Sequence, residues 1–169
     1  MNRIDLESFD FNVFEDIGKR WMLLTAGTID EHNTMTASWG QAGVVWGKNV
    51  LTCMIRPSRY TYGFVEDNDI FTASFFGDGN RGALNFCGAN SGRDFENKSL
   101  AAGLTPISAD ADLGGVTFEQ AKFYFVCKKI YRAEMLDENI LDGSIRTNYG
   151  PGEGMHIFYV GEILAAYEK

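Results

Sequence analysis

The sequence has few of the residues that build disulfide frameworks or metal sites. Its 169 residues include three cysteines and two histidines. Cys53, Cys87 and Cys127 are odd in number and far apart, and none belongs to a CxxC pair. This usage is typical of reduced, buried thiols in a cytoplasmic protein, so we expect no disulfide framework. His32 and His156 are not spaced as a ligand pair, which argues against a zinc site.

Basic residues and long apolar runs are also scarce. The chain carries 15 Lys and Arg against 23 Asp and Glu, a net charge of −8. Because this charge repels phosphate backbones and no basic stripe offsets it, we expect no nucleic-acid partner. No apolar stretch approaches the ~20 residues of a membrane span, and the first residues lack the order of a signal peptide. We therefore expect no membrane association and a cytoplasmic location.

What the sequence has in abundance is apolar and aromatic residues in strand-like patterns. Hydrophobic residues make up 45 % of the chain and aromatic residues 14 %, with 13 Phe. This supports one domain, residues 1–169, with a substantial core. Strands are predicted at 21–25, 44–46, 50–55, 70–76, 122–131 and 156–167, with a hairpin turn at 47–49 and a bulge at Gly161. Short helices are predicted at 58–66, 81–87 and 93–102.

Many strands with a few short helices predict a mainly β fold, an antiparallel barrel or sandwich. A doubly wound parallel sheet would need strands and helices to alternate strictly, and here they do not. Residues 137–154 contain four glycines and form a connection longer than is usual. Such a segment is predicted to cover a site or an interface.

The stretch RPSRYT, residues 56–61, joins a predicted strand to a predicted helix. Ser58 is the expected N-cap, and the N-terminal end of a helix favours an anion. Arg56 and Arg59 could bind phosphate oxygens through forked, charge-assisted hydrogen bonds, with a further hydroxyl from Thr61. Alternatively, the arginines pair with the acidic residues of 66–69. The residues leave these two interpretations evenly balanced.

Three other segments are candidates for ligand contacts. Residues 33–40, NTMTASWG, could lay their backbone against a flat polar ring, although alone they favour an edge strand. The SGRD stretch at 91–94 precedes a predicted helix that Asp94 would cap, and Lys98 could be a surface residue or a ligand. His156 could face solvent, core or a cofactor. Neither Gly-x-Ser-x-Gly nor a strand-borne GxGxxG is present, so a bound cofactor would have to supply any reaction.

The order of these segments resembles the flavin reductase-like family of FMN-binding split β-barrels, which includes flavoredoxin. The resemblance rests on N-x-M-T-x-S-W at 33–39, R-P-S-R-Y-T at 56–61, IFTASFF at 70–76, and C-G-x-x-S-G-R-D at 87–94 with Lys98. A histidine before V-G-E-I, His156 and 160–163, completes the series. The resemblance spans roughly residues 20 to 166. The resemblance implies a six-stranded Greek-key split barrel with short peripheral helices, forming a homodimer with FMN near the interface.

The same resemblance assigns roles to individual residues. Residues 33–39 would line the flavin ring and ribityl chain, and residues of 56–61 would hold the FMN phosphate. Ser91 and Lys98, in and just after the C-G-x-x-S-G-R-D segment, would approach the flavin, and His156 would lie near a nicotinamide. The implied flavin contacts are Asn33, Thr36, Ala37, Ser38, Trp39, Arg56, Ser58, Arg59, Thr61, Ser91 and Lys98.

The function implied is hydride transfer from NAD(P)H to flavin and onward to a small acceptor or a partner protein. An alternative is an electron carrier like flavoredoxin, which keeps FMN bound and receives electrons from a redox protein. A cofactor-free binding barrel is the third hypothesis. Two departures from the family pattern leave the electron donor open. The chain reads Glu96-Asn97-Lys98 where an Asp-Lys pair is common, and Met155 where Asp often precedes the histidine.

Overall fold

A computed structural model of the chain describes residues 1–152 and 154–169. The strands are β1 (Asn2–Arg3), β2 (Met22–Gly27), β3 (His32–Ala37), β4 (Gly40–Val45), β5 (Lys48–Ile55), β6 (Ile70–Phe76), β7 (Pro106–Ser108), β8 (Val116–Phe118), β9 (Ala121–Glu134) and β10 (Ile157–Glu168). The α-helices are α1 (Val13–Glu15), α2 (Tyr60–Asp67), α3 (Arg81–Ala89) and α4 (Lys98–Ala101). A π-helix spans Asp16–Arg20, and 3-10 turns span Asp78–Asn80, Gly92–Asp94, Asp137–Asn139 and Gly143–Asn148.

One antiparallel sheet dominates the fold. Its strand order is β3-β2-β6-β9-β10-β5-β4, with β1 added to β10, and β7 and β8 form a separate pair. This confirms the predicted mainly β split barrel. The main sheet has eight strands instead of six, because residues 32–37 pair with β2 and residues 2–3 pair with β10, in addition to the six predicted strands.

Alternating side chains of the long strands fill the barrel interior. Phe75 and Phe123 stack at 4.5 Å between ring centroids, and Phe9 and Phe11 of the N-terminal segment close over them. A second apolar cluster lies on the outer face, where α3 and the β7–β8 pair cover the sheet. The strand prediction at 70–76 is confirmed exactly, and the predicted bulge appears as a register shift at Gly161.

Two local predictions were wrong in detail. The hairpin turn is Trp46-Gly47 rather than 47–49, with φ of 53° and 70°, the positive values that a two-residue primed turn requires. Residues 93–102 do not form one helix. Phe95 is extended at φ −137° and packs on Phe86, and α4 starts only after Asn97.

Among the described residues, no helix is long and apolar enough to cross a membrane.

Candidate functional site

The strand-to-helix connection at 56–59 is a tight turn. The Arg59 N–H donates to the Arg56 carbonyl at 2.9 Å, with Pro57 at the second turn position, where its fixed φ is favoured. Helix α2 begins at Tyr60 with Arg59 as its N-cap. The prediction of Ser58 as N-cap was therefore wrong, because the turn that the proline stabilises delays the helix by one residue. Ser58 is exposed in this turn.

A cleft forms where this turn meets the β3–β4 connection and the start of β10. Strand pairing brings these parts together, since Ile55 of β5 lies opposite Ile157 of β10. Arg56 follows Ile55 in the chain and His156 precedes Ile157, so this pairing brings the two residues next to each other. None of the described residues in the lining is acidic, although the chain carries a net charge of −8. The lining consists of Met35, Thr36, Ala37, Ser38, Trp39, Met54, Arg56, Arg59 and His156.

Arg59 reaches from the turn to the C-terminal end of α3. It donates to the Gly88 carbonyl at 3.2 Å. The Lys98 ammonium lies close behind and donates to the Cys87 and Asn90 carbonyls at 3.2 and 3.1 Å. Lys98 is buried, and this burial lowers its pKa, with the positive charge of Arg59 acting in the same direction. Two cations thus converge on the carbonyl end of α3, beside the cleft.

The glycine-rich segment 137–154, of which position 153 lies outside the described residues, packs over the other arginine. Arg56 donates to the Asn148 carbonyl at 2.6 Å, and its guanidinium lies 5.3 Å from the centre of the Tyr149 ring. The Tyr149 hydroxyl lies 2.9 Å from Nδ1 of His156. The prediction that this segment covers a site agrees with these contacts.

His156 is buried between two aromatic rings. Its ring centroid is 5.3 Å from that of Trp39 and 5.4 Å from that of Tyr149. Trp39 is 40 % exposed, so one side of its ring faces the open part of the cleft. This arrangement fixes the orientation of the imidazole and leaves a partly exposed aromatic wall.

Five of the predicted ligand residues lie outside the cleft lining. Asn33 is buried and donates from its amide to the Thr61 hydroxyl at 2.7 Å, tying β3 to α2. The Ser91 hydroxyl accepts from the Arg93 N–H and caps a 3-10 turn. Lys98 supports α3, as described above. Ser58 remains exposed between the two arginines. The predicted cap Asp94 is replaced by Asn97, whose side chain accepts from the Leu100 N–H at 3.1 Å.

Sequence reasoning missed three residues that build the site. Met35 and Met54 line the cleft, and Tyr149 holds His156. Met35 stands inside the 33–39 segment and Met54 ends the predicted strand at 50–55 together with Ile55, but a methionine carries no chemical signature there. Tyr149 belongs to the segment predicted to cover a site, and only the tertiary contact identifies its partner.

Burial argues against a thiolate role for Cys53 and Cys87. Cys87 lies next to Lys98, yet burial raises the pKa of its thiol to about 11. Burial also raises the pKa of Cys53 to about 12. At neutral pH these thiols stay protonated, and the thiolate is the reactive form.

Comparison with known families agrees with this geometry. The sequence model described as the flavin reductase like domain matches residues 14–169. The chain belongs to this family. No match was found among curated protein sequences.

Solved structures show that the flavin reductase-like fold extends over the whole chain. Flavoredoxin from Methanosarcina acetivorans is 20 % identical, with TM-score 0.69 and coverage of 100 % of this chain and 76 % of that one. An FMN-binding domain of a flavin reductases-like enzyme from Shewanella baltica OS155 is 16 % identical, with TM-score 0.69 and coverage of 99 % and 76 %.

A third structure with this fold is a reductase. The NADH:FAD oxidoreductase SgcE6 of Streptomyces globisporus C-1027, in complex with NAD and FAD fragments, is 16 % identical. Its TM-score is 0.65, and the match covers 93 % of this chain and 79 % of that one. At these identities the likeness establishes the fold of this flavin reductase-like chain.

Proposed function

We propose that the chain is an FMN-binding oxidoreductase of the flavin reductase type, acting as a single domain and using NAD(P)H as electron donor. The observation that carries this proposal is the cleft in which Arg56 and Arg59 meet an aromatic wall formed by Trp39 and His156. FMN, when bound, supplies the redox chemistry by accepting hydride from a reduced nicotinamide and passing electrons to flavin, a small acceptor or a partner protein.

The residues present fit FMN. A phosphate monoester is a dianion, and two guanidinium groups beside the 56–59 turn provide charge-assisted donors for it. The Ser58 hydroxyl is exposed in the same turn and adds a donor. Lys98 and the Asn33–Thr61 hydrogen bond hold the elements that frame this end of the cleft. Ser91 orders the neighbouring turn.

The other end of the cleft suits a flat ring. Residues 36–39 offer small side chains and backbone groups to the ring edge, and Trp39 offers an aromatic face. His156, held by Tyr149, would lie beside the nicotinamide and keep it oriented toward the flavin. Hydride transfer needs near-attack geometry more than a protein acid or base, so positioning is the main task of these groups.

One observation favours a second candidate, an electron carrier that does not react with NAD(P)H. The segment 137–154 contacts both Arg56 and His156 and so covers the side of the cleft where a nicotinamide would enter. In that case a reduced redox protein would supply the electrons.

We also propose that the chain forms a homodimer. The hairpin that joins β4 and β5 exposes apolar residues that a second copy would cover: Val44 is 69 % exposed and Trp46 is 66 % exposed. An apolar groove lined by Phe14, Ala42 and Met54 runs from this edge strand to the cleft. Two copies joined along this face would bury it next to the flavin.

Anaerobic mixing of the FMN-loaded protein with NADH or NADPH tests the function. If the chain is a reductase, we expect NADH or NADPH to bleach the flavin absorbance near ~450 nm. No bleaching, together with rapid reduction by a reduced redox protein, would favour the carrier. Protein that takes up no FMN in a titration would refute both and leave the cofactor-free barrel.

A further inference from the structure

Residues 137–149, here called the flap, form a compact unit over the cleft with hydrogen bonds of their own. Arg146 donates to the carboxylate and to the backbone carbonyl of Asp137, both at 2.8 Å. The Asp142 side chain accepts from the Ser144 N–H at 2.9 Å. Because these contacts join the two halves of the flap, we expect it to move as one body.

The flap contributes little to the core of the protein. None of residues 137–149, all of which the structure describes, is buried, and Leu141 is 97 % exposed. Segments with few buried apolar contacts open at a low cost in free energy. The two ends of the surrounding loop meet where the Met135 N–H donates to the His156 carbonyl at 3.0 Å. Movement of the flap about this base would leave the barrel interior intact.

Two side chains of the cleft hold the flap in its closed position. Arg56 donates to the Asn148 carbonyl at 2.6 Å, and its guanidinium lies 5.3 Å from the centre of the Tyr149 ring. The Tyr149 hydroxyl lies 2.9 Å from Nδ1 of His156. The closed flap therefore contacts both the arginine proposed for the flavin phosphate and the histidine proposed for the nicotinamide.

We propose that the flap is a latch that the flavin phosphate releases, so that nicotinamide binding depends on bound FMN. A phosphate dianion is a stronger acceptor for a guanidinium than a neutral carbonyl is, because it adds Coulomb attraction and can accept two parallel N–H bonds. Phosphate at Arg56 therefore displaces Asn148 and Tyr149, and the departure of Tyr149 uncovers His156. The inference rests on the proposed function, because that function places the FMN phosphate at Arg56.

The latch couples the two ligands of the cleft. A nicotinamide that enters beside His156 binds the open flap better than the closed one, and FMN shifts the flap toward the open position. Such a coupling is reciprocal, so a nicotinamide also raises the affinity for FMN. Riboflavin, which has no phosphate, leaves the flap closed.

The distance between two nitroxide labels reports the position of the flap. Leu141→Cys labels the flap, and Lys128→Cys labels an exposed position of β9, about 20 Å along the strand from Glu134. The three native cysteines are buried, so the labels attach to the introduced thiols. We expect FMN to raise the ratio of open to closed molecules roughly 5- to 150-fold, the usual range of coupling between two sites. Riboflavin should leave the ratio unchanged.

Two results of this measurement would overturn the proposal. One is an unchanged distance distribution in protein that a titration shows to be saturated with FMN, which would refute the latch and keep the flavin site. The other is equal opening by FMN and riboflavin, because the flap would then respond to the ring instead of the phosphate.

Substitution of Arg56 tests the latch without any ligand. Arg56→Ala removes the donor to Asn148 and should shift the labelled protein to the open distance. Arg3→Ala removes the same charge from an exposed position of β1 and is the matched control, which should stay closed. An Arg56→Ala protein that stays closed would overturn the proposal. If the protein binds no FMN, the proposed function is refuted, and this comparison still decides whether Arg56 holds the flap.

Discussion

At the scale of single residues, Arg59 contributes to the site through both its backbone and its side chain. It caps α2 with its backbone, donates to the Gly88 carbonyl with its side chain, and lines the cleft. A guanidinium can serve several acceptors because its five N–H groups lie in one plane.

Replacement of Arg59 by alanine tests its role toward phosphate. Because riboflavin lacks the phosphate, Arg59→Ala should weaken FMN and leave the riboflavin Kd within twofold. A charge-assisted contact is worth about 1.5–3 kcal/mol, so the FMN Kd should rise roughly 10- to 150-fold. Arg3→Ala removes the same charge from an exposed position outside the cleft and should have no effect. Equal losses of FMN and riboflavin would contradict the phosphate assignment.

The sequence predicted the placement of these residues better than their hydrogen-bond partners. Arg56 and Arg59 were identified correctly as neighbours of one turn, since Pro57 restricts the local backbone. Their acceptors, the carbonyls of Asn148 and Gly88, lie 92 and 29 residues away and leave no local signal. The Asn33–Thr61 pair was missed for the same reason, because each residue alone looked like a ligand.

At the scale of elements, β10 is the strand on which the barrel depends most. It pairs with β9, β5 and β1, and its bulge at Gly161 lies over the core. A Cβ at this glycine would lie 2.5 Å from Phe71 Cζ and 2.9 Å from Cys127 Cβ. Both neighbours are fully packed, so neither can move without disturbing the interior.

Gly161→Ala should therefore destabilise the fold. Overpacking of this kind costs about 1–3 kcal/mol, which urea unfolding followed by circular dichroism would detect. Gly43→Ala on the edge strand β4 is the control, because a Cβ there meets nothing within 4 Å. Similar unfolding midpoints for the two variants would show that the bulge tolerates a side chain.

Helix predictions failed where tertiary contacts override local preference. The spacing at 93–102 suits a helix, yet Phe95 leaves the helical conformation to pack its ring on Phe86. The strand at 70–76 was predicted with its observed bounds because apolar residues alternate along it, but the structure also buries the polar face, which the alternation did not predict. The spacing of apolar residues therefore indicates which residues are buried, but it does not show which tertiary contacts bury them.

At the scale of the whole molecule, the exposed edge at β4 has to be explained. An apolar edge strand with free backbone groups promotes association unless something covers it. The proposed homodimer would cover Val44 and Trp46, the latter already packed on Tyr131 at 5.9 Å.

Light scattering coupled to size exclusion tests this assembly. We expect the protein to elute with twice the mass of one chain, and Val44→Lys with Trp46→Lys to convert it to a monomer, because buried charges without partners are costly. Leu141→Lys, at a position that is 97 % exposed in the segment over the cleft, should leave the dimer intact. A wild-type protein that stays monomeric at every concentration would refute the proposed dimer.

The pairing of β5 with β10 also determines when the site can exist. Ile55 and Ile157, which align Arg56 with His156, are about 100 residues apart in the chain. Contacts of such long range form late in folding, because the loop between them must first be closed. During synthesis, the turn at 56–59 therefore emerges long before its cleft. On the proposed function, flavin would therefore bind only after β5 and β10 have paired, because Arg56 and His156 both line the cleft.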